Sequence, residues 1–134
     1  MIIPISHYPT LQAVPSELSL PIIIEIERYK SALRTFFAKH GSLAVIFEVA
    51  RLSGKGGHAH VQVIPVPEAL GGTIEEQFKT EGSDAGMDWE EDPDAALEKA
   101  SKAGENYFRV DLPDGRKMVH ILKYGKPFNL QFGR

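Results

Sequence analysis

Between Ser19 and Gly41, apolar side chains return every three or four residues: Ile22, Ile26, Tyr29, Leu33 and the pair Phe36/Phe37. Glu25, Glu27, Arg28, Lys30 and Arg34 fall between them, so the segment predicts one long amphipathic helix. Ser19 suits an N-cap, Pro21 the first turn, and Gly41 the point where the helix stops. A helix with an apolar stripe must bury it, and the residues that follow offer a surface. Residues 43–49 are rich in Val, Ile and Phe and predict a strand, residues 51–57 a loop, and residues 58–66 a second, antiparallel strand. Further on, residues 73–80 predict a short helix, residues 82–94 irregular chain, and residues 95–103 a brief helix ended by Gly104. Residues 107–112 and 117–123, joined by Pro113-Asp114-Gly115, predict a hairpin. The expected fold class is α+β: an antiparallel sheet with one long helix across it, plus a smaller C-terminal hairpin-containing extension. Residues 1–7 read as an apolar strand already under way at the first residue, which predicts a piece of a larger protein.

Charge divides the chain. Residues 1–67 hold six Lys/Arg against four Asp/Glu, and residues 105–134 hold six against three. Residues 68–104 hold three against eleven and read as an acidic, solvated connector, so any polynucleotide surface belongs to the flanks. A net charge of −3 argues against indiscriminate nucleic-acid binding. With no cysteine there is no disulfide framework and no thiolate metal site. No apolar run approaches the length of a membrane-spanning helix, so no membrane partner is expected.

The stretch Gly56-Gly57-His58-Ala59-His60-Val61-Gln62 carries the chemistry. On a strand, alternate side chains share a face at about 6.6 Å spacing, so His58, His60 and Gln62 point one way and Ala59, Val61 and Val63 the other. A neutral imidazole can attack phosphorus, and neighbouring donors can hold the non-bridging oxygens. The loop Ser53-Gly54-Lys55-Gly56-Gly57 enters this strand with glycines that allow close backbone approach and a lysine suited to an anion. The plainer alternative is a half-exposed strand that tolerates histidine. Zinc is disfavoured: no third ligand lies nearby in sequence, and Gln is a poor zinc ligand.

The C-terminal block interleaves Tyr107, Phe108, Tyr124, Phe128 and Phe132 with Arg109, Arg116, Lys117, Lys123, Lys126 and Arg134. Two readings stand. In one, Tyr107 and Tyr124 stack RNA bases while Arg109, Lys117 and Lys123 meet phosphates. In the other, the aromatics face the core and the cations are solvated. His120, alternating with Met118 and Leu122, reads as a satisfied core histidine. Trp89 is unusual in an acidic connector and reads as an anchor docked on the domain.

His58-Ala59-His60-Val61-Gln62-Val63-Ile64 resembles the motif of the histidine-triad proteins, with Gln62 at the third histidine. Ile3-Pro4-Ile5-Ser6-His7 is similar to their upstream Pro-x-x-His segment. Residues 2–11, 25–37, 45–48, 61–67, 107–112 and 129–134 more closely resemble the paired C-terminal domains of the CwfJ family, in its branch associated with lariat debranching. That resemblance implies residues 1–67 as a histidine-triad-like domain lacking its N-terminal strands, 68–104 as connector, and 105–134 as the start of a second CwfJ segment. It implies His60 as the nucleotidyl-accepting position, His58 as its support, and Gln62 and His7 beside the phosphate, with Ser53, Lys55, Gly56 and Gly57 on the phosphate side. Gln62 cannot supply a proton, which fits transfer or plain binding better than hydrolysis. The function implied is that of a nuclear RNA-processing accessory domain in splicing and intron-lariat turnover. Its expected partners are branched RNA and spliceosomal or debranching proteins, with a homodimer or an intramolecular pseudo-dimer. The alternatives are a nucleotidyl transferase or hydrolase working through a His60 phosphoramidate, and a protein adaptor with a vestigial site. No cofactor and no metal are implied.

Overall fold

The computed structural model describes residues 1–51, 57–123 and 128–133. Its spine is the predicted helix α1 (Ser16–Ala38), which starts three residues ahead of Ser19 because Pro15 provides the entry, leaving Pro21 inside the helix. Gly41 follows at φ +68°, a left-handed conformation that lets the chain turn at once into β1 (Ser42–Ala50). Then come β2 (Gln62–Pro67), α2 (Ile74–Asp84), α3 (Pro93–Ala103), β3 (Tyr107–Asp111) and β4 (Lys117–Ile121), with 3₁₀ turns at Leu11–Ala13 and Glu68–Thr73.

The four strands form one antiparallel sheet in the order β2-β1-β3-β4. The hairpin β3-β4 is therefore part of the same sheet as β1 and β2, with Phe47 opposite Gln62 on one side and Val110 on the other. The acidic stretch is largely helical. Asp92 Oδ1 accepts from the Ala95 amide and starts α3, which Gly104 ends in the left-handed region. Its Leu97 and Ala100 are buried with Ala50, Tyr107 and Val119.

Alternation along β1 sorts the core into two layers. Ala44 and Ile46 face α1 and pack with Ile26 and Val61. Val45 and Phe47 face the other way, into a layer with Ile74, Met87, Phe108 and Val110. Phe108, with no exposed surface, sits among the rings of Phe47, Phe78, Trp89, Phe128 and Phe132. Each such aromatic pair contributes about 0.5–1.5 kcal/mol beyond the area it buries. Trp89 is thus docked on the domain, against Phe78 and the backbone of Gly82. No helix among the described residues is long and apolar enough to cross a membrane.

Candidate functional site

The predicted second strand begins in the ladder only at Gln62; residues 57–61 part from β1 and pair with the N-terminal segment instead. Val61 and Ile2 exchange both backbone hydrogen bonds at 2.8 Å, and the Ala59 amide donates to the Tyr8 carbonyl at 2.6 Å. Gly57 fits because a Cβ there would lie 2.9 Å from the Arg51 carbonyl oxygen, closer than side chains tolerate.

This pairing brings the expected residues together. Ala59 and Val61 are buried, and Val61 packs in the layer beneath α1. His60 and Gln62 therefore lie on the opposite face, half-buried like His58. His58 Nε2–H donates to the Pro4 carbonyl at 2.9 Å, and the His7 ring lies 4.6 Å from the His58 ring, tilted by 46°. His60 Nδ1–H donates to the His58 carbonyl at 2.9 Å. A carbonyl only accepts, so the proton sits on Nδ1 and His60 Nε2 keeps its lone pair. The arrangement pairs one nitrogen with nucleophilic character with a second imidazole held by backbone. Among the described residues no group of three or more His, Asp or Glu is placed to hold a metal ion. Of the loop expected on the phosphate side, Gly57 is described, whereas Ser53, Gly54, Lys55 and Gly56 lie outside the described residues.

The C-terminal candidates are placed differently from one another. Tyr107 is 2% exposed, its ring in the core and its hydroxyl donating to Glu48 Oε2 at 2.9 Å. Arg109 grips Asp111 through two hydrogen bonds, Nε to Oδ1 at 2.7 Å and Nη2 to Oδ2 at 3.0 Å. Lys117 pairs with Asp94, and Lys123 with Asp88 at 2.7 Å. Tyr124, Lys126 and Arg134 lie outside the described residues.

Sequence reasoning missed a buried ionic cluster between α1 and the sheet. Lys30 Nζ meets Asp111 Oδ2 at 3.0 Å and Glu27 Oε1 at 2.8 Å. Glu48 takes the Leu11 amide on Oε1 at 3.1 Å and Tyr107 on Oε2. Burial raises the Glu48 carboxyl above its ordinary range despite these donors and the nearby Arg109 and Lys30 charges. Burial also pushes Asp111 upward, but the forked Arg109 contact and the Lys30 charge outweigh it and hold Asp111 below its ordinary value. Burial and the Glu48 charge together raise the Tyr107 phenol. The available signal was the alternation Tyr107-x-Arg109-x-Asp111, which sets three polar groups on one strand face.

Fold and site together define a small α+β domain whose sheet extends, past β2, into a histidine-bearing segment clasped by the N-terminus. The family described as "Protein similar to CwfJ C-terminal" matches residues 1–79. The chain is 36% identical over 137 residues to CWF19-like protein 1 of Homo sapiens, covering 100% of this chain and 24% of that protein. It is 37% identical over 137 residues to CWF19-like protein 1 of Xenopus laevis, again 100% of this chain and 24% of the relative. CWF19-like protein mug161 of Schizosaccharomyces pombe is 34% identical over 134 residues, 100% of this chain and 22% of that protein. The chain belongs to the CwfJ family, in its C-terminal part. It spans about a quarter of the length of these curated relatives.

Proposed function

We propose that this chain is an RNA-processing accessory domain, acting in pre-mRNA splicing and intron-lariat turnover, that holds an RNA phosphate or nucleotide at His58, His60, Gln62 and His7. Membership in the CwfJ family supports the splicing context, and with it spliceosomal or debranching partners and a nuclear setting. The observation that carries the site is the His7–His58–His60 arrangement: two rings 4.6 Å apart, and a third imidazole whose Nε2 keeps its lone pair. Titration of the chain with a nucleoside monophosphate, followed by ¹H–¹⁵N spectra, tests it. Shifts at His58, His60 and Gly57 that are lost in His60→Ala support the reading. Shifts at His58 and Gly57 that persist unchanged in His60→Ala defeat it.

The same nitrogen supports a second reading, nucleotidyl transfer of the histidine-triad type. His60 Nε2 would bond to phosphorus as the phosphorus–oxygen bond to the leaving group breaks, and that oxygen would take its proton from water, since Gln62 has none to give. Mass spectrometry at alkaline pH after incubation with a nucleotide conjugate decides between them. An adduct of one nucleotidyl group on wild type, absent in His60→Ala, marks the enzyme. Binding without an adduct marks the accessory domain.

A further inference from the structure

On the same sheet face as Gln62, but at the β4 edge, lies a cavity of about 340 Å³. Its apolar walls include Met87, Leu122, Phe128 and Phe132, and His120, Lys123 and Asn129 supply the polar groups. The Phe128 and Phe132 rings lie 6.3 Å apart and both rest on Phe108, so the aromatic wall is anchored in the core. His120 is 7% exposed, and the role of satisfied core histidine accounts for one of its two ring nitrogens. Nδ1 lies 2.8 Å from the Asp88 carbonyl and 3.2 Å from the Asp88 amide, so the Asp88 backbone engages Nδ1 in either tautomer and Nε2 is left with no hydrogen-bond partner among the described residues. Asn129 uses its Oδ1 to accept the Gln131 amide at 2.9 Å, which directs its NH₂ group to other partners. Lys123 stands exposed at the rim, paired with Asp88.

An aromatic slot with one imidazole nitrogen, one amide donor and a cation at its mouth is complementary to a nucleoside phosphate. A base stacks on the rings, its edge offers N–H and lone-pair groups, and its phosphate meets the lysine. We propose that this cavity is a second, base-binding site, in which His120 Nε2 and Asn129 NH₂ read the edge of one nucleobase. It is independent of the histidine segment in residues and in chemistry, since that segment is argued to hold phosphate. The two share a sheet face: Phe108 pairs with both Val49 and His120, two residues along from the row that holds Val110, Phe47 and Gln62.

The test is titration of the whole chain with the four ribonucleoside 5′-monophosphates, ribose 5-phosphate and a single-stranded RNA hexanucleotide, read by calorimetry and by side-chain methyl shifts. We expect at least one monophosphate or the hexanucleotide to shift Met87 and Leu122, with the affinity read at those two methyls reduced tenfold or more in Asn129→Asp and His120→Phe, while shifts at His58 and Gly57 persist in both variants. Asn129 is exposed, so its variant folds independently of any role His120 has in holding Asp88. Tighter binding of the hexanucleotide with the same variant pattern identifies an RNA strand as the source of the base, and tighter binding of a monophosphate identifies a free nucleotide. Equal shifts from ribose 5-phosphate, wild-type affinity in Asn129→Asp, or no shift at Met87 and Leu122 with any probe would each overturn the proposal. Loss of binding in His60→Ala with Met87 and Leu122 unmoved would leave the phosphate site standing and remove the base site alone.

Discussion

Lys30 of α1 and Asp111 of β3 meet at 3.0 Å across 81 positions of sequence, both within the core. Their contact fastens the long helix to the strand that the C-terminal half contributes. Removing one partner strands a buried charge, so Asp111→Ala should lower stability by about 3–5 kcal/mol in urea unfolding. Replacing the three mutually paired residues with apolar side chains, as Lys30→Met, Arg109→Met and Asp111→Leu together, should restore most of that loss. A triple variant less stable than Asp111→Ala alone would show that the charges contribute more than they cost to bury.

Glu48 gives the fold a dependence on pH. Its carboxyl is raised in the folded chain, chiefly by burial, so the protonated form favours folding. That contribution is complete below the ordinary carboxylate value and is lost as pH rises through the raised folded value. Glu48→Gln stays neutral, so its stability relative to wild type should improve as pH rises from acid toward neutral. Asp111 is lowered and acts in the opposite sense, losing its contribution as pH falls through its folded value, but this is common to both proteins and cancels in the difference. Urea midpoints of the two proteins that run parallel from acid to neutral pH would contradict this.

Gly82 is a packing test. A Cβ there would lie 2.8 Å from Trp89 Nε1 and 3.1 Å from Trp89 Cε2, inside the core layer that Phe78 and Phe108 share. Gly82→Ala should cost about 1–3 kcal/mol through overpacking and shift the emission of Trp89 to the red as the indole is displaced. Unchanged emission and unchanged thermal stability would place the indole elsewhere.

His58 and His60 should separate in their effects. His58 anchors Pro4, so His58→Ala should loosen the N-terminal clasp, with amide exchange at Ile2 and Val61 accelerated roughly fivefold for a lost bond near 1 kcal/mol. Nucleotide affinity should fall less than in His60→Ala. Equal losses in the two variants, with exchange unaltered, would make His58 a contact residue instead of a positioning one.

The elements with strong periodicity were legible in the sequence: α1 from its three-and-four spacing, β1 from its Val, Ile and Phe content, the hairpin from its Pro-Asp-Gly turn. The histidine alternation was legible too, because Ala59 and Val61 mark the inward face. What could not be read was partnership over distance. Nothing local to Val61 says that Ile2 is its neighbour, so the strand was expected to enter the ladder at His58. The acidic composition of residues 68–104 suggested a solvated connector because charge was read apart from the spacing of Leu97 and Ala100, which face the sheet. Lys30 looked like one more solvated charge on α1, since its partner lies far along the chain. His120 was expected to be satisfied, and the structure accounts for only one of its two nitrogens.

The place of β1 between β2 and β3 has a consequence for how the protein is made. The match to the family covers residues 1–79, yet half of the backbone pairing of β1 comes from Tyr107–Asp111. During synthesis the central strand waits, with one edge bare and Phe47 uncovered by Phe108, until the ribosome has released β3. A gene fragment cut at the boundary of the match would end in that waiting state, a template for aggregation instead of a smaller working unit.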